Sequence, residues 1–240
     1  MASVPDRSEA GFARDQGFFI KFSVALAIFV AFAFAQFAAR GLSHPMEAPV
    51  WVHLHGLLML FWLGLLVMQN ISAANGSMAL HRALGWSATF VVSAIVGVGC
   101  FAGAMAIARH TVPPFFTDAY FLALTQIEAV VFGGMVYAAV LRRGDTQWHR
   151  RMMLGATLLV TEPAFGRLLP MPFMPGWGEW VTLACQLALV GILARHDRRS
   201  LGAVHPATTA AAGCIALTHV LIELAARTPW VVETAARFAA

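Results

Sequence analysis

Residues 48–80 read APVWVHLHGLLMLFWLGLLVMQNISAANGSMAL, a stretch without a single Asp, Glu, Lys or Arg. A charge-free run of this length is typical of a lipid bilayer, because a hydrocarbon core of about 30 Å needs about 20 mostly apolar residues per helix. Histidines lie near both ends of the run: His53 and His55 are near its start, and His81 directly follows its last residue. A helix here would place them near opposite membrane faces, which makes them the first candidates for chemistry.

The composition of the whole chain agrees with a membrane protein. Of its 240 residues, 59% are hydrophobic and only 12% are charged, which is about half the charged share of an ordinary soluble domain. The net charge of +4 does not indicate nucleic-acid binding, because the basic residues form short clusters between apolar runs. Cys100, Cys185 and Cys214 lie inside apolar segments without a CxxC spacing, which is typical of small buried hydrophobic residues.

Hydropathy predicts an all-α, polytopic membrane helix bundle of about seven transmembrane helices. The predicted spans are residues 17–39, 50–70, 83–108, 120–141, 152–169, 178–194 and 207–226. A polar tail, residues 1–16, precedes this membrane domain of residues 17–226, and a short tail, residues 227–240, follows it. The first apolar run is longer than that of a typical cleaved signal peptide, so we expect an uncleaved first helix.

The distribution of basic residues predicts the orientation of the bundle. Eleven of the 16 Lys and Arg residues fall in segments on the same side as the N-terminus. Because cytoplasmic loops carry the excess of Lys and Arg, we expect a cytoplasmic N-terminus and a periplasmic C-terminus. Six of the seven tryptophans fall at predicted span ends, where indole rings prefer the membrane interface. The bilayer is therefore the expected partner.

A short motif recurs in the first and second halves of the membrane domain. His81-Arg82-Ala83-Leu84-Gly85 opens the third span, and HRRMMLG at residues 149–155 opens the fifth. Each motif follows a loop with turn-forming residues, Asn75-Gly76 in one case and Gly144-Asp145 in the other. The pattern indicates one helical hairpin used twice, over residues 50–108 and 120–169.

The order of these residues resembles a family of predicted bacterial multi-pass inner-membrane proteins that is known only as a domain of unknown function. Its pattern is H…Q…HR-x-LG, followed by D-x-x-x-HRR-x-M and a late arginine. The matching positions here are His53 or His55, Gln69, His81, Arg82, Leu84, Gly85, Asp145, His149, Arg150, Arg151, Met153 and Arg167. The resemblance covers about residues 50–169. It implies a location in the bacterial inner membrane and supplies no activity.

Helix geometry separates the histidines of the second span. His53 and His55 are two residues apart, which places them about 200° apart around a helix. Gln69 falls within roughly 40° of His55 on the helix surface, and Trp62 shares that face. We therefore expect His55 to face the bundle and His53 to face the lipid headgroups or another crevice.

The acidic residues inside predicted spans are the second group of candidates. Glu128 and Glu162 fall near mid-membrane, where an ionisable group costs about 2.5–3.5 kcal/mol and usually faces a partner or a cavity. Pro163 leaves one backbone carbonyl of its helix without the usual donor. Arg167 is badly phased to pair with Glu162 in a regular helix, so we expect it to reach Glu128 or the outer surface. His219 arrives at a similar depth.

Three classes of function remain open. In the first, imidazoles on separate helices ligate haem b, with His55 and His219 at the outer level and His81 and His149 at the inner level. The depth of the inner pair argues against this arrangement, because His81 and His149 are expected to lie too close to the surface for a buried haem plane. In a variant of this class, a transition metal is held by Glu128, Glu162 and a histidine, His219 or His53.

The second class is a proton-coupled carrier or small-molecule-binding membrane protein, in which Glu128, Glu162 and His219 form a polar relay with Gln69 and Arg167. The third is a non-catalytic accessory subunit that packs against other subunits of a membrane complex. For His81 and His149, helix capping or binding of lipid phosphate is the simpler alternative. The sequence carries no P-loop, dinucleotide fingerprint or soluble catalytic signature, which leaves enzymatic activity open.

Overall fold

The structure, a computed structural model, describes the backbone from residue 7 to 240 and the side chains from Asp15 onward. Within this range the secondary structure is entirely helical, which confirms the all-α prediction. The nine α-helices are α1 (Arg7–Ala39), α2 (Val50–Ala74), α3 (Met78–Ala108), α4 (Asp118–Leu141), α5 (Thr146–Leu159), α6 (Glu162–Leu168), α7 (Gly178–Leu201), α8 (Pro206–Ala225) and α9 (Pro229–Ala239).

Six of these helices, α1, α2, α3, α4, α7 and α8, are long and apolar enough to cross a membrane. They coincide with six of the seven predicted spans, so the prediction of a multi-pass helical bundle is confirmed to that extent. Large apolar side chains cover the outside of the bundle, as in Phe90, which is 77% exposed, and Leu141, which is 81% exposed. Such a continuous apolar surface is typical of contact with lipid rather than water.

The fifth predicted span, residues 152–169, is not one continuous helix. Helix α5 ends at Leu159 and α6 begins at Glu162. The physical reason is Pro163, which has no N–H to donate to the carbonyl of Leu159 and whose ring clashes with that carbonyl in a regular helix. Six of the seven predicted spans are therefore single helices, and the fifth predicted span is divided between α5 and α6.

Helices α5 and α6 together still run the length of the bundle. At one end, Arg150 near the start of α5 forms an ion pair with Asp15 of α1. At the other end, Gln36 Nε2 of α1 donates a hydrogen bond of 3.0 Å to the carbonyl of Arg167 in α6. The broken segment thus lies along α1 from one end to the other.

The helix connections define two ends of the molecule. We call one the basic end: it holds the start of the described part of α1 and the α2–α3, α4–α5 and α7–α8 connections. Contacts tie these segments together, as when Gln16 Nε2 donates 3.0 Å to the carbonyl of Asn70. The opposite end, which we call the far end, holds α6, the start of α7 and the end of α8.

Both segments that were predicted as tails contain helix. Helix α1 already begins at Arg7, inside the predicted polar tail, whose first six residues lie outside the described part of the chain. In the predicted C-terminal tail, α9 packs against α3 and α4, with Val231 and Ala235 buried. The C-terminal segment is therefore part of the packed structure.

Candidate functional site

The D-x-x-x-HRR motif builds the start of α5 at the basic end. The Asp145 side chain caps the helix, because its Oδ1 accepts hydrogen bonds from the backbone N–H groups of Gln147 at 3.0 Å and Trp148 at 3.2 Å. The cap fixes where α5 begins and so fixes the direction of the next turn. That turn carries His149, followed by Arg150 and Arg151.

His149 lies beside His81, the first residue of the other copy of the motif. The centroids of the two imidazole rings are 6.3 Å apart and their planes meet at 77°. One ring comes from the first turn of α3 and the other from the first turn of α5, and both side chains are half-buried. The structure therefore brings together the two histidines that the sequence predicted as an inner pair.

Hydrogen bonds orient both rings. His81 Nδ1 lies 3.3 Å from the carbonyl oxygen of Gln69, and His149 Nδ1 lies 2.9 Å from that of Ala139. Because a carbonyl only accepts hydrogen bonds, each Nδ1 is the protonated nitrogen, and a neutral ring then keeps its lone pair on Nε2. Metal-binding histidines usually donate their second ring N–H in this way, which fixes the tautomer and the ring direction.

The separation of the two ring centroids is close to that of two imidazoles bound on opposite sides of one metal ion. With a metal–nitrogen bond of about 2.1 Å on each side, and a ring nitrogen about 1 Å from its centroid, the two centroids would be about 6 Å apart. The observed separation of His81 and His149 is 6.3 Å.

A buried ionic network holds the start of α5 in place. Arg150 pairs with Asp15 of α1, and Asp15 Oδ1 also accepts from His196 Nε2 of α7 at 2.7 Å. The His196 ring stacks on Phe18, with ring centroids 3.7 Å apart. The network joins α5 to α1 and α7 one residue away from His149, so it holds the helix turn that carries this residue.

A second ion pair is more deeply buried. Arg151 donates to Asp197 Oδ1 from Nη2 at 2.6 Å and from Nε at 2.9 Å, and both side chains are fully buried. Asp197 Oδ2 accepts from Thr208 Oγ1 at 2.5 Å and from the backbone N–H of His205 at 3.1 Å. Asp197 thus ties α5 to α7 and α8. Sequence reasoning missed Asp15 and Asp197, although the HDRR at residues 196–199 was a signal beside the HRR motif.

At the far end, His219 belongs to a hydrogen-bond chain across the helix break. Its Nε2 lies 2.8 Å from Gln186 Oε1, and Gln186 Nε2 donates to the carbonyls of Leu159 at 2.6 Å and Leu158 at 3.3 Å. Gln186 therefore satisfies the carbonyl that Pro163 leaves without a donor. This bond occupies His219 Nε2, so the chain supports a role in packing rather than as an axial ligand. A lone glutamine in an apolar span was the signal that sequence reasoning overlooked.

The two histidines of α2 lie as predicted. His53 is exposed, whereas His55 packs toward α3, and its Cε1 lies 3.1 Å from the position that a Cβ of Gly99 would occupy. Trp62 is buried and donates from Nε1 to Thr157 Oγ1 at 3.2 Å. His55 Nδ1 is buried and lacks a hydrogen-bond partner among the described residues. Helix α2 packs mainly on α1 and α3, whereas α8 packs on α4, α5 and α7. The predicted outer pair, His55 on α2 and His219 on α8, therefore lies on helices that do not pack mainly on each other.

Arg167 does not extend toward Glu128. Its Nη1 donates to the carbonyl of Pro163 at 2.7 Å, and its guanidinium lies 3.9 Å from the centroid of the Phe34 ring. Of the two alternatives predicted for Arg167, Glu128 or the outer surface, contact with Glu128 is not formed, because α6 packs on α1 and the guanidinium lies against an aromatic surface there. Arg167 does interact electrostatically with Glu162.

The acidic residues form a cluster larger than the predicted pair. Glu162 is 5% exposed, and Glu128 on α4 is half-buried. Glu179 of α7, which sequence reasoning used only as a span boundary, is 8% exposed and interacts electrostatically with Glu162. Between residues 15 and 240, no three His, Cys, Asp or Glu side chains converge to hold a metal ion. The predicted metal site of Glu128, Glu162 and a histidine is therefore not formed as such a group.

Comparisons with known proteins add no homologue. No family model matches the chain, and no curated protein or solved structure matches it either. The geometry of the chain's own residues is therefore the basis for a functional proposal, and the resemblance to the inner-membrane family stays a prediction.

Proposed function

We propose that this protein is a redox protein of the membrane that carries one haem b between His81 and His149. The observation that carries the proposal is the imidazole pair, with ring centroids 6.3 Å apart and each Nδ1 bonded to a backbone carbonyl. Haem iron bound by two axial imidazoles exchanges single electrons, and its potential depends on those ligands and their hydrogen bonds. Electron transfer is the activity that follows.

The number of ligands favours haem over a bare metal ion. Haem iron needs at most two protein ligands, because the porphyrin supplies the other four. Zinc and most other transition-metal sites use three or four protein side chains. In the part of the chain with described side chains, no such larger group is found. A copper or other ion held by the two histidines alone is the competing form of the same site.

The surrounding residues would keep the ligands in place. Asp145 caps the helix that carries His149, and the ion pairs of Arg150 and Arg151 anchor that helix to its neighbours. On the α3 side, the carbonyl of Gln69 lies 3.3 Å from His81 Nδ1. The bonds of His81 Nδ1 to the Gln69 carbonyl and of His149 Nδ1 to the Ala139 carbonyl would limit rotation of both imidazoles, which keeps the reorganisation on electron transfer small.

We further propose that the protein resides in a bacterial inner membrane with its N-terminus in the cytoplasm. The excess of Lys and Arg in the segments of the basic end supports this orientation. In this arrangement α5 and α6 together form the one crossing that is not a single helix, which is the fifth along the chain. The haem lies near the cytoplasmic face. Electrons would then pass between the haem and a partner at that face.

Visible absorption of the purified protein tests the haem. We expect a Soret band and a reduced α-band from haem-replete cells, with both bands lost in His81→Ala and His149→Ala. His53→Ala is the matched control, since His53 is exposed on α2 and should leave the spectrum unchanged. Elemental analysis separates the competing form, because stoichiometric copper without haem would assign a bare ion. A colourless protein without bound metal would overturn the proposal.

A proton-coupled carrier is the second candidate, favoured by the interrupted segment between Leu159 and Glu162. Carrier sites often lie where a membrane helix is broken, because the break frees backbone groups near mid-membrane. A haem-free protein with normal folding would favour this candidate or an accessory subunit of a larger complex.

A further inference from the structure

A cluster of acidic residues lies at the far end, remote from the His81–His149 pair. Its members are Glu128, Glu162 and Glu179, which interact with one another electrostatically. They come from three helices, α4, α6 and α7. Glu162 and Glu179 are 5% and 8% exposed.

Glu179 has a buried carboxyl group without a hydrogen-bond partner among the described residues. Both of its carboxyl oxygens are buried, and neither has a hydrogen-bond partner among the described side chains and backbone. The Tyr120 hydroxyl, which interacts with the same carboxyl groups, is also buried and similarly without a partner in the described part of the chain. A buried carboxylate in this state would be costly, because nothing replaces its lost hydration.

The charges around the cluster do not balance. The groups that interact with one another here are Glu128 and Tyr120 of α4, Glu162 and Arg167 of α6, Glu179 of α7 and Glu223 of α8. Glu223 already pairs with Arg227 at 2.9 Å, and the nearest histidine along α8, His219, is bonded to Gln186 instead. Three ionised glutamates beside Arg167 would leave two uncompensated negative charges in a region of low dielectric constant.

We propose that Glu162 and Glu179, together with Glu128, form a proton-exchange site that connects the break between α5 and α6 with the water at the far end. The O–H bond of one carboxylic acid breaks, the proton passes to water, and Arg167 balances the carboxylate that remains. Reprotonation reverses the step.

The positions along the helices suit such a path. Glu179 is the second residue of α7 and Tyr120 the third of α4, so both lie at the far end. Glu128 follows Tyr120 by eight residues, which places it about 12 Å deeper along the helix. Glu162 begins α6 at the break itself. The site is independent of any haem, because its members lie away from His81 and His149.

Infrared spectroscopy of the full-length protein in phosphatidylcholine vesicles tests the proposal. We expect a carboxylic C=O band at neutral pH that decreases reversibly as the pH is raised. Glu162→Gln and Glu179→Gln should each remove one carboxyl group's share of that change. Glu47→Gln is the control, because Glu47 is exposed at the same end of the molecule.

Two results would overturn the proposal. One is a band with the same size and titration in the Glu162→Gln/Glu179→Gln double variant. The other is a band that does not change with pH, which would assign the acids to packing alone. If Glu179→Gln fails to insert, Glu179→Asp keeps the carboxyl group and should shift the titration without removing it; an unshifted titration would contradict the site.

Discussion

At the scale of single residues, Asp197 joins three helices at the basic end. It accepts hydrogen bonds from Arg151, from Thr208 and from the backbone of His205. Asp197→Ala would leave the fully buried guanidinium of Arg151 without a counter-charge. We expect the free energy of unfolding to fall by about 3–5 kcal/mol, measured by denaturant unfolding in mixed micelles. Arg198→Ala, an exposed change on the same helix, should have little effect.

Removing both charges separates the cost of an unpaired buried charge from any other effect of the substitution on stability. The double variant Arg151→Met/Asp197→Leu buries no charge, so it should recover most of the stability that Asp197→Ala loses. If Asp197→Ala is no less stable than Arg198→Ala, the buried ion pair described at this end is wrong.

Gln186 supports a second prediction for a single residue. Gln186→Leu leaves the carbonyl of Leu159 without its donor and His219 without its acceptor, at about 1–3 kcal/mol for each unsatisfied buried group. Adding Pro163→Ala restores an N–H that can donate to Leu159, so the double variant should be more stable than Gln186→Leu. Thermal unfolding of the detergent-solubilised variants measures both. Equal stability of the two would argue against this explanation of the break.

At the scale of helices, the topology is directly testable. The α7–α8 connection lies at the basic end. Helix α9, by contrast, packs on the end of α3 and the start of α4 at the far end. A reporter active only in the periplasm should therefore be active when fused after Ala240 and inactive when fused after Ser200. The physical reason is retention of Arg195, Arg198 and Arg199 in the cytoplasm. Activity at Ser200 with none at Ala240 would reverse the orientation.

Hydropathy predicted the long helices well because an apolar run of sufficient length has few alternatives to a membrane span. It could not predict the division of α5 from α6. Pro163 was visible in the sequence, but a proline can either kink a helix or end it, and the outcome depends on what satisfies the freed carbonyl. Here that group is Gln186 on another helix.

The candidate site was predictable in part for a similar reason. The repeated motif placed His81 and His149 at equivalent helix starts, and two hairpins side by side bring such residues together. Asp15, Asp197 and Glu179 were missed because a charged residue at the end of an apolar run normally marks a boundary. Their importance depends on which helices pack together, and spacing along the chain does not specify that.

At the scale of the whole molecule, polar residues concentrate at two levels of an otherwise apolar bundle. The basic end holds the imidazole pair and its ionic supports, and the far end holds the buried acids. We propose that the first level exchanges electrons and the second exchanges protons. The two activities can be tested separately, since variants at Glu162 or Glu179 should leave the visible spectrum intact.

The central claim is that His81 and His149 are the two axial ligands of one haem, and electron paramagnetic resonance of the oxidised protein tests it most directly. The axial imidazoles act on the iron d orbitals, and nearly perpendicular ring planes keep two of these orbitals close in energy. Because the two planes meet at 77°, the account predicts a low-spin ferric signal with one very large g value, absent from His81→Ala and His149→Ala. A rhombic low-spin signal typical of parallel imidazoles, or a signal that survives either substitution, would contradict it.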